Sequence, residues 1–424
     1  MDENLINKKP LVKLFGGVLS SLVNGDDYKA QPPQGPPNDL PTLTNQELHE
    51  LQLTYTGENL SLEGYSYSEI TLVEDPMPVE VRLPERDLLQ DINIVGIDGS
   101  NQKVERASFY FIMARSSVVE FRYSSFGAKP YFYNTNRDAC AVVWVDGNVF
   151  TDDIKLYTKE IARSAEDNYD LLKHLDNIEL PFLVRYDSTK VDKSPSSHAL
   201  GWAVKLQQAL ELASIKDVPT HLRTICIKDG PLFSTSVSPQ ETVNGLDRIF
   251  AWNDQILVAC SKRIKDSKLL IEALTRNIPL RNYWFKNQNI TEQTLKSIAT
   301  DSLILPRILK PGYRTPLMEA LPVARKQVVD LEERLMPLAC YYLSRNQPYT
   351  YIRLEIPRFM WQKNPDKVEQ AIQIVAWQHE LGHKAPLVQL AADKRCQLGP
   401  ERLILEKQTI AALNKHNLEF PEPY

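Results

Sequence analysis

The chain has 424 residues, of which 43% are hydrophobic and 24% are charged, a composition typical of one large or two smaller globular domains. Its net charge of −5 argues mildly against a nucleic-acid binder, although a local basic groove or a basic partner subunit is compatible with it. No apolar run of about 18 residues occurs, so we expect no membrane span.

The N-terminus and the cysteines predict a cytoplasmic protein. The first residues lack the basic region and cleavage pattern of a signal peptide. The five cysteines are scattered without metal-binding spacing, which favours free thiols in a reducing compartment.

The N-terminal part divides into two predicted segments before the core begins near Asp91. Residues 1–43 form an arm with a Pro-rich linker at 30–42, which is either a partner-docking arm or a frayed tail. Residues 44–90 form an extension that packs on the core, and residues 91–424 form the main domain.

Apolar patterning predicts the core elements in chain order. The predicted strands are Ile92–Asp98, Arg106–Ala114, Ser117–Tyr123, Cys140–Val145, Leu222–Asp229, Gln255–Cys260, Tyr341–Leu343 and Tyr351–Ile356. The predicted helices are Thr158–Leu175, Ala199–Ile215, Ser267–Thr275, Glu292–Ala299, Asp366–His379 and Glu401–Asn414. The order resembles the ribonuclease H-like arrangement, so we expect an α/β fold in which helices flank a mixed sheet.

Two of the predicted strands end on a carboxylate that is followed by glycine, Asp98-Gly99 and Asp229-Gly230. A carboxylate at a buried strand end costs free energy unless it is paired or binds a cation, and two on neighbouring strands repel. A divalent metal between them resolves both problems. Glu211, late on the helix before the second strand, can project to the same end, and three carboxylates suit Mn²⁺ or Mg²⁺. The alternative is that each Asp-Gly pair is only a turn.

Six short segments in a fixed order carry a family resemblance. They are residues 95–100 (VGIDGS), 228–232 (KDGPL), 258–262 (VACSK), 312–316 (GYRTP), 353–357 (RLEIP) and 385–393 (APLVQLAAD). From about Asp91 to Leu398 the chain resembles the NurA nucleases. The resemblance implies a ribonuclease H-like, manganese-dependent DNA nuclease, a homodimer docked on the hexameric ATPase translocase HerA, acting in DNA end processing or antiphage defence.

The resemblance also implies site residues and shows two departures. Asp98, Glu211 and Asp229 would be the metal carboxylates. The family usually has a histidine where this chain has Asp393, which is either a further metal ligand or an ordinary surface aspartate. The stretch between Asp98 and Glu211 is also longer than is usual in the family, which predicts an insertion within about residues 127–198.

Basic residues near the predicted site are candidates for contacts with DNA phosphates. Lys262 and Arg263 follow a strand that adjoins the site, and Arg314 lies in the fourth family segment. The alternative for each is a solvated loop.

A rival function comes from residues 379–383, HELGH, which match the zinc-peptidase pattern. There, His379 and His383 would bind Zn²⁺ and Glu380 would act as the base. Gly382 and Pro386 predict that the helix is ending, which would separate the two histidines. A third possibility is a sheet domain that only binds partners.

Overall fold

The computed structural model describes residues 67–84, 89, 92–105, 109–123, 130–146, 156–163, 195–215, 218–220, 223–234, 239–262, 267–285, 290–298, 300–322, 332–347 and 350–398. The strands are β1 (Tyr67–Leu72), β2 (Val79–Glu80), β3 (Ile92–Glu105), β4 (Phe109–Tyr123), β5 (Pro130–Asp146), β6 (Leu156–Arg163), β7 (Arg223–Asp229), β8 (Gln255–Ser261), β9 (Tyr313–Arg314), β10 (Met318–Pro322), β11 (Pro337–Leu343) and β12 (Tyr351–Pro357). The α-helices are α1 (Pro195–Ser214), α2 (Pro239–Leu246), α3 (Leu269–Arg276), α4 (Ile278–Phe285), α5 (Glu292–Ser297), α6 (Asp301–Ile308), α7 (Arg358–Lys363), α8 (Pro365–Gly382) and α9 (Leu387–Cys396). In this part of the chain, no helix combines the length and apolar character that a bilayer crossing needs.

The strands form one mixed sheet in the order β1-β10-β11-β12-β8-β7-β3-β4-β5-β6, and β2 and β9 pair beside it. Strands β3 to β6 are an antiparallel meander, whereas β7 is parallel to β3 and β8 is parallel to β7. The central order β5-β4-β3-β7-β8 confirms the predicted ribonuclease H-like mixed sheet flanked by helices.

The first strand is longer than the sequence indicated, and this places Asp98 inside a strand. β3 pairs with β4 from Asn93↔Arg122 to Glu105↔Tyr110, so Asp98-Gly99 is not a turn. The parallel partner β7 stops pairing at Ile97↔Lys228. Asp98 therefore lies where one neighbouring strand ends while the other continues.

Several predicted elements differ from the structure. The two strands predicted over 106–114 and 117–123 are one strand, β4. The helix predicted from Thr158 is wrong at its start, because β6 pairs along the edge of β5 and strand pairing overrides local propensity. Both β5 and β6 fall within the predicted insertion and extend the meander. The arm at 1–43 and the helix Glu401–Asn414 lie outside the described residues.

Two apolar clusters stabilise the sheet. The larger one joins central strand residues such as Ile94, Ile225 and Leu257 to helix α8 through Ile372 and Val375. The smaller one packs helices α3 to α6 against β1, β10 and β11. The strand ends near Asp98 are thus held on a rigid scaffold.

Helix α9 approaches β3 at Gly96. A Cβ atom on Gly96 would lie 2.6 Å from the carbonyl oxygen of Val388, in the first turn of α9. Only glycine allows a backbone approach of this kind. The absence of a side chain at Gly96 therefore sets the distance between α9 and the strand that carries Asp98.

We expect Gly96→Ala to lower the free energy of unfolding by about 1–3 kcal/mol, because the added methyl group pushes against a helix backbone that cannot rotate away. Urea denaturation followed by circular dichroism measures this loss. Gly245→Ala is the control, since its Cβ would meet the Leu212 side chain at 3.0 Å. An equal loss of unfolding free energy in Gly96→Ala and Gly245→Ala would contradict the close approach at Gly96.

Candidate active site

Two carboxylates on adjacent strands share one lysine. Asp98 of β3 and Asp229, the last residue of β7, follow the register pair Ile97↔Lys228 and so lie side by side. Lys262, just after β8, has its Nζ 2.7 Å from Asp98 Oδ2 and 3.2 Å from Asp229 Oδ1. Asp98 is only 1% exposed, and its Oδ1 accepts a hydrogen bond from the Gly99 amide at 2.8 Å.

Burial and the neighbouring charges both shift the pKa values of Asp98 and Lys262. Burial raises the pKa of Asp98 well above its ordinary value, and Asp229 raises it further, against the opposing effect of Lys262. Burial tends to lower the pKa of Lys262, but Asp229 and Asp98 raise it above its ordinary value. The lysine is therefore a firmly charged counter-ion to the two aspartates.

Glu211 of α1 reaches the same strand ends from the other face of the sheet. Its Oε2 lies 3.0 Å from Lys228 Nζ, and its Oε1 accepts a hydrogen bond from Gln207 Nε2 at 2.8 Å. A Cβ on Gly99 would lie 2.7 Å from Glu211 Oε1, so glycine makes room for this carboxylate. Burial raises the pKa of Glu211, Lys228 lowers it and Asp229 raises it, which places Glu211 within the electrostatic reach of Asp229.

Helix α9 covers the Asp98 face and adds three side chains at helical spacing, Gln389, Asp393 and Cys396. Gln389 Nε2 donates hydrogen bonds to Asp229 Oδ1 and to the carbonyl of Cys260. Ligand atoms of Asp98, Asp393 and Cys396 all lie within 4.8 Å of one another. Asp393 therefore lies beside the carboxylate of Asp98.

Gln389 and Cys396 were not singled out from the sequence as site residues. The signal that could have found them is their spacing of four before and three after Asp393 on one helix, which places all three on one face.

The end of α9 is fixed to the strands beside the site. Ser100 Oγ donates a hydrogen bond to the carbonyl of Cys396, and Arg115 Nη1 donates one to the carbonyl of Arg395 at 3.4 Å. Ser100 and Arg115 are themselves paired across β3 and β4. These contacts satisfy carbonyls of the last helical turn and hold Asp393 over Asp98.

The donor set fits a divalent cation. When all six side chains are ionised, four carboxylates (Asp98, Glu211, Asp229, Asp393) face two ammonium groups (Lys228, Lys262), which leaves two negative charges uncompensated. Within the described residues, the buried Gln389 Oε1 also lacks a hydrogen-bond partner. Oxygen donors with excess negative charge are the ligands that Mg²⁺ and Mn²⁺ prefer.

The basic residues predicted to bind DNA have different positions. Lys262 lies in the cluster, with its side chain 20% exposed. Arg314 is buried, and it donates to both oxygens of Glu74 at 2.7 and 2.9 Å and to Glu369 at 2.7 Å. A guanidinium that is buried and bound to two carboxylates is not available to a DNA phosphate, so the expected DNA contact of Arg314 is corrected to a structural role. Arg263 lies outside the described residues.

The HELGH segment (residues 379–383) is engaged in contacts within the fold. Helix α8 continues to Gly382, further than predicted, and His383 follows in a left-handed conformation with φ +63°. Glu380 accepts hydrogen bonds from four donors, the hydroxyls of Tyr342 and Ser344 and the amides of Arg345 and Asn346. Burial lowers the pKa of His379 to about 4. Among the described residues, neither histidine belongs to a group of three potential metal ligands.

The fold and the acidic centre define a ribonuclease H-like α/β domain with a cluster of carboxylates at the strand ends. A family model described as the NurA domain matches residues 155–392, which is more than half of the chain. The chain therefore belongs to the NurA family. The match includes Glu211, Asp229 and Lys262, whereas Asp98 precedes it and Asp393 follows it directly.

One solved structure that is similar to this chain is the crystal structure of the NurA nuclease from Sulfolobus solfataricus. It aligns with a TM-score of 0.39 and 11% sequence identity, over 80% of this chain and 87% of that one. Comparison with curated proteins gives no match.

The raised pKa of Asp98 predicts that this residue destabilises the metal-free fold at neutral pH. A carboxyl group whose folded pKa is raised contributes stability below its ordinary pKa of 3.8, and that contribution is lost as pH rises through the folded value. We expect Asp98→Asn to increase the free energy of unfolding at neutral pH by about 0.5–2 kcal/mol in the presence of chelator, with the gain closing toward about pH 4.

Thermal denaturation at several pH values measures this difference. Asp254→Asn is the matched control, because Asp254 is exposed at the opposite end of β8 and Lys367 lowers its pKa. A metal-free Asp98→Asn protein that is less stable than wild type at neutral pH would contradict the prediction that the Asp98 carboxylate destabilises the fold.

Proposed function

We propose that the chain is a metal-dependent DNA nuclease, with Asp98, Glu211, Asp229 and Asp393 as its metal-binding carboxylates. The observation that carries this proposal is the surplus of negative charge at the end of β7 and the adjacent part of β3, under helix α9, in a chain that belongs to the NurA family. The reaction is hydrolysis of a DNA phosphodiester bond.

The carboxylates would hold Mn²⁺ or Mg²⁺, which when bound activates water and stabilises the leaving oxygen of the phosphodiester. Glu211 approaches from the α1 face, whereas Asp98, Asp229 and Asp393 lie on the α9 face. Gln389 holds the Asp229 carboxylate through its amide nitrogen. The protein's contribution is to orient these oxygens on strands and helices that cannot move far.

Lys262 has two roles in this proposal. In the metal-free protein its ammonium neutralises Asp98 and Asp229. Its partial exposure and its position on the loop side of β8 also make it the best-placed described cation for a DNA phosphate. With metal in the site, we infer that Lys262 turns from the aspartates to the phosphate.

The overall charge supports action with a partner. A net charge of −5 makes the chain a weak DNA binder alone, because phosphate binding depends on basic groups. We propose that a HerA-type hexameric ATPase delivers DNA to a homodimer of this chain in the cytoplasm, in DNA end processing or antiphage defence.

Cleavage of labelled linear DNA with Mn²⁺ tests the nuclease proposal. We expect Asp98→Asn and Asp229→Asn each to lower the rate by at least about 100-fold, because each removes charge from the site that the metal needs. Asp254→Asn is the matched control and should cleave at the wild-type rate.

The same assay distinguishes the proposed nuclease from the rival zinc peptidase. Glu380→Gln should retain DNA cleavage wherever circular dichroism shows it folded, because Glu380 binds loop donors and not the carboxylate cluster. Full cleavage by Asp98→Asn and Asp229→Asn would refute the proposed site. Processive degradation of duplex ends without ATP or partner would refute the translocase dependence.

A further inference from the structure

Cys396 lies beside the carboxylates and has no role in the proposed reaction. It is the last residue of α9, it is fully buried, and its Sγ forms a group with carboxylate oxygens of Asp98 and Asp393 in which every pair lies within 4.8 Å. Among the described residues, no other three potential ligands have atoms that all lie within 4.8 Å of one another. Its sulfur distinguishes this position from an ordinary acidic cluster.

A second observation points to a ligand at the same place. Ser117 stands opposite Asp98 in the β3–β4 pair, and its buried hydroxyl has no hydrogen-bond partner within the described residues. The adjacent Ser116 hydroxyl contacts Ser214 of α1 at 2.9 Å, so Ser117 faces the other side of the sheet, which α9 covers. A buried unpaired hydroxyl is costly, and a bound ion with its hydration would satisfy it.

We propose that Asp98, Asp393 and Cys396 bind a thiophilic divalent cation of the Zn²⁺ class. A thiolate favours such ions over Mg²⁺, whereas the carboxylate oxygens of the nuclease site favour Mg²⁺ or Mn²⁺. Zinc bonds of about 2.0–2.3 Å in tetrahedral geometry require ligand atoms about 3.5 Å apart, so no pair within the 4.8 Å limit has to close by more than about 1.3 Å. The thiol proton is released to solvent when the metal–sulfur bond forms.

The shared Asp98 gives this site a consequence for cleavage. An ion held by Cys396 and Asp393 occupies a carboxylate that the Mn²⁺ or Mg²⁺ site also needs. Zinc would therefore lower the rate of DNA hydrolysis. This consequence rests on the proposed nuclease function, but the binding itself can be measured whether or not the chain cleaves DNA.

Titration of the full-length, metal-free, reduced protein with Cd²⁺ tests the binding. Cadmium is a zinc-like probe whose bond to a thiolate gives an ultraviolet charge-transfer band. Wild type should show a saturable band that Zn²⁺ displaces, and Cys396→Ala should lose it together with at least about 10-fold in zinc affinity. Cys260→Ala is the matched control, because Cys260 is a buried thiol on the neighbouring strand β8 and should leave the band intact.

Two further measurements keep the outcome unambiguous. Circular dichroism checks that the variants fold, and Asp393→Asn retains the thiol while it should weaken zinc binding by at least about 10-fold. Absence of the band in wild type, or an undiminished band in folded Cys396→Ala, would overturn the sulfur site and leave the nuclease proposal untouched. A normal band in a protein that cleaves no DNA would support the site and count only against the nuclease.

Discussion

The rest of the site depends on the crowding of carboxylates where β7 ends beside the middle of the parallel strand β3. Asp98 and Asp229 are neighbours because β3 and β7 are in register, and Asp98 is almost completely buried. Two such charges repel, and burial removes the water that would screen them. The surrounding polar groups reduce this cost, since Lys262 bridges both aspartates and Gln389 donates to Asp229. They do not remove it, as the raised pKa of Asp98 shows.

The backbone brings these groups together by close approach from both faces of the sheet. Gly96 allows the first turn of α9 to approach β3 on one face, and Gly99 leaves room for Glu211 of α1 on the other. Ser100 then fixes the end of α9 through a hydrogen bond to its last carbonyl. Residues of a single strand thus position helix α9 on one face and the Glu211 carboxylate on the other, because side chains along a strand alternate in direction.

The sequence predicted those parts of the site that depend on short-range patterns. Asp98, Glu211 and Asp229 could be found because local patterns mark them: an apolar run precedes each Asp-Gly pair, and Glu211 lies late on a helix that leads to the second run. Gln389 and Cys396 share a helix face with Asp393, but the sequence does not show what that face contacts, since their hydrogen bonds join residues 160 and 296 positions apart. Arg314 was misinterpreted for the same reason: its local sequence resembles a solvated loop, but Glu74, 240 positions away, binds both arms of its guanidinium. The helix predicted from Thr158 is wrong at its start because residues 156–163 pair with the edge of strand β5, and local propensity does not reveal that edge.

Two buried acidic residues show how a structural carboxylate differs from a functional one. Glu380 is the centre of a strong zinc-site motif, but four neutral donors from the β11–β12 region surround its oxygens. Such a carboxylate is satisfied by the fold and organises a loop. Asp98 has one backbone amide, one lysine and a second carboxylate beside it. Its surroundings leave negative charge uncompensated, and this electrostatic deficit, which the motif alone cannot show, favours the Asp98 cluster over HELGH as the proposed metal-binding region.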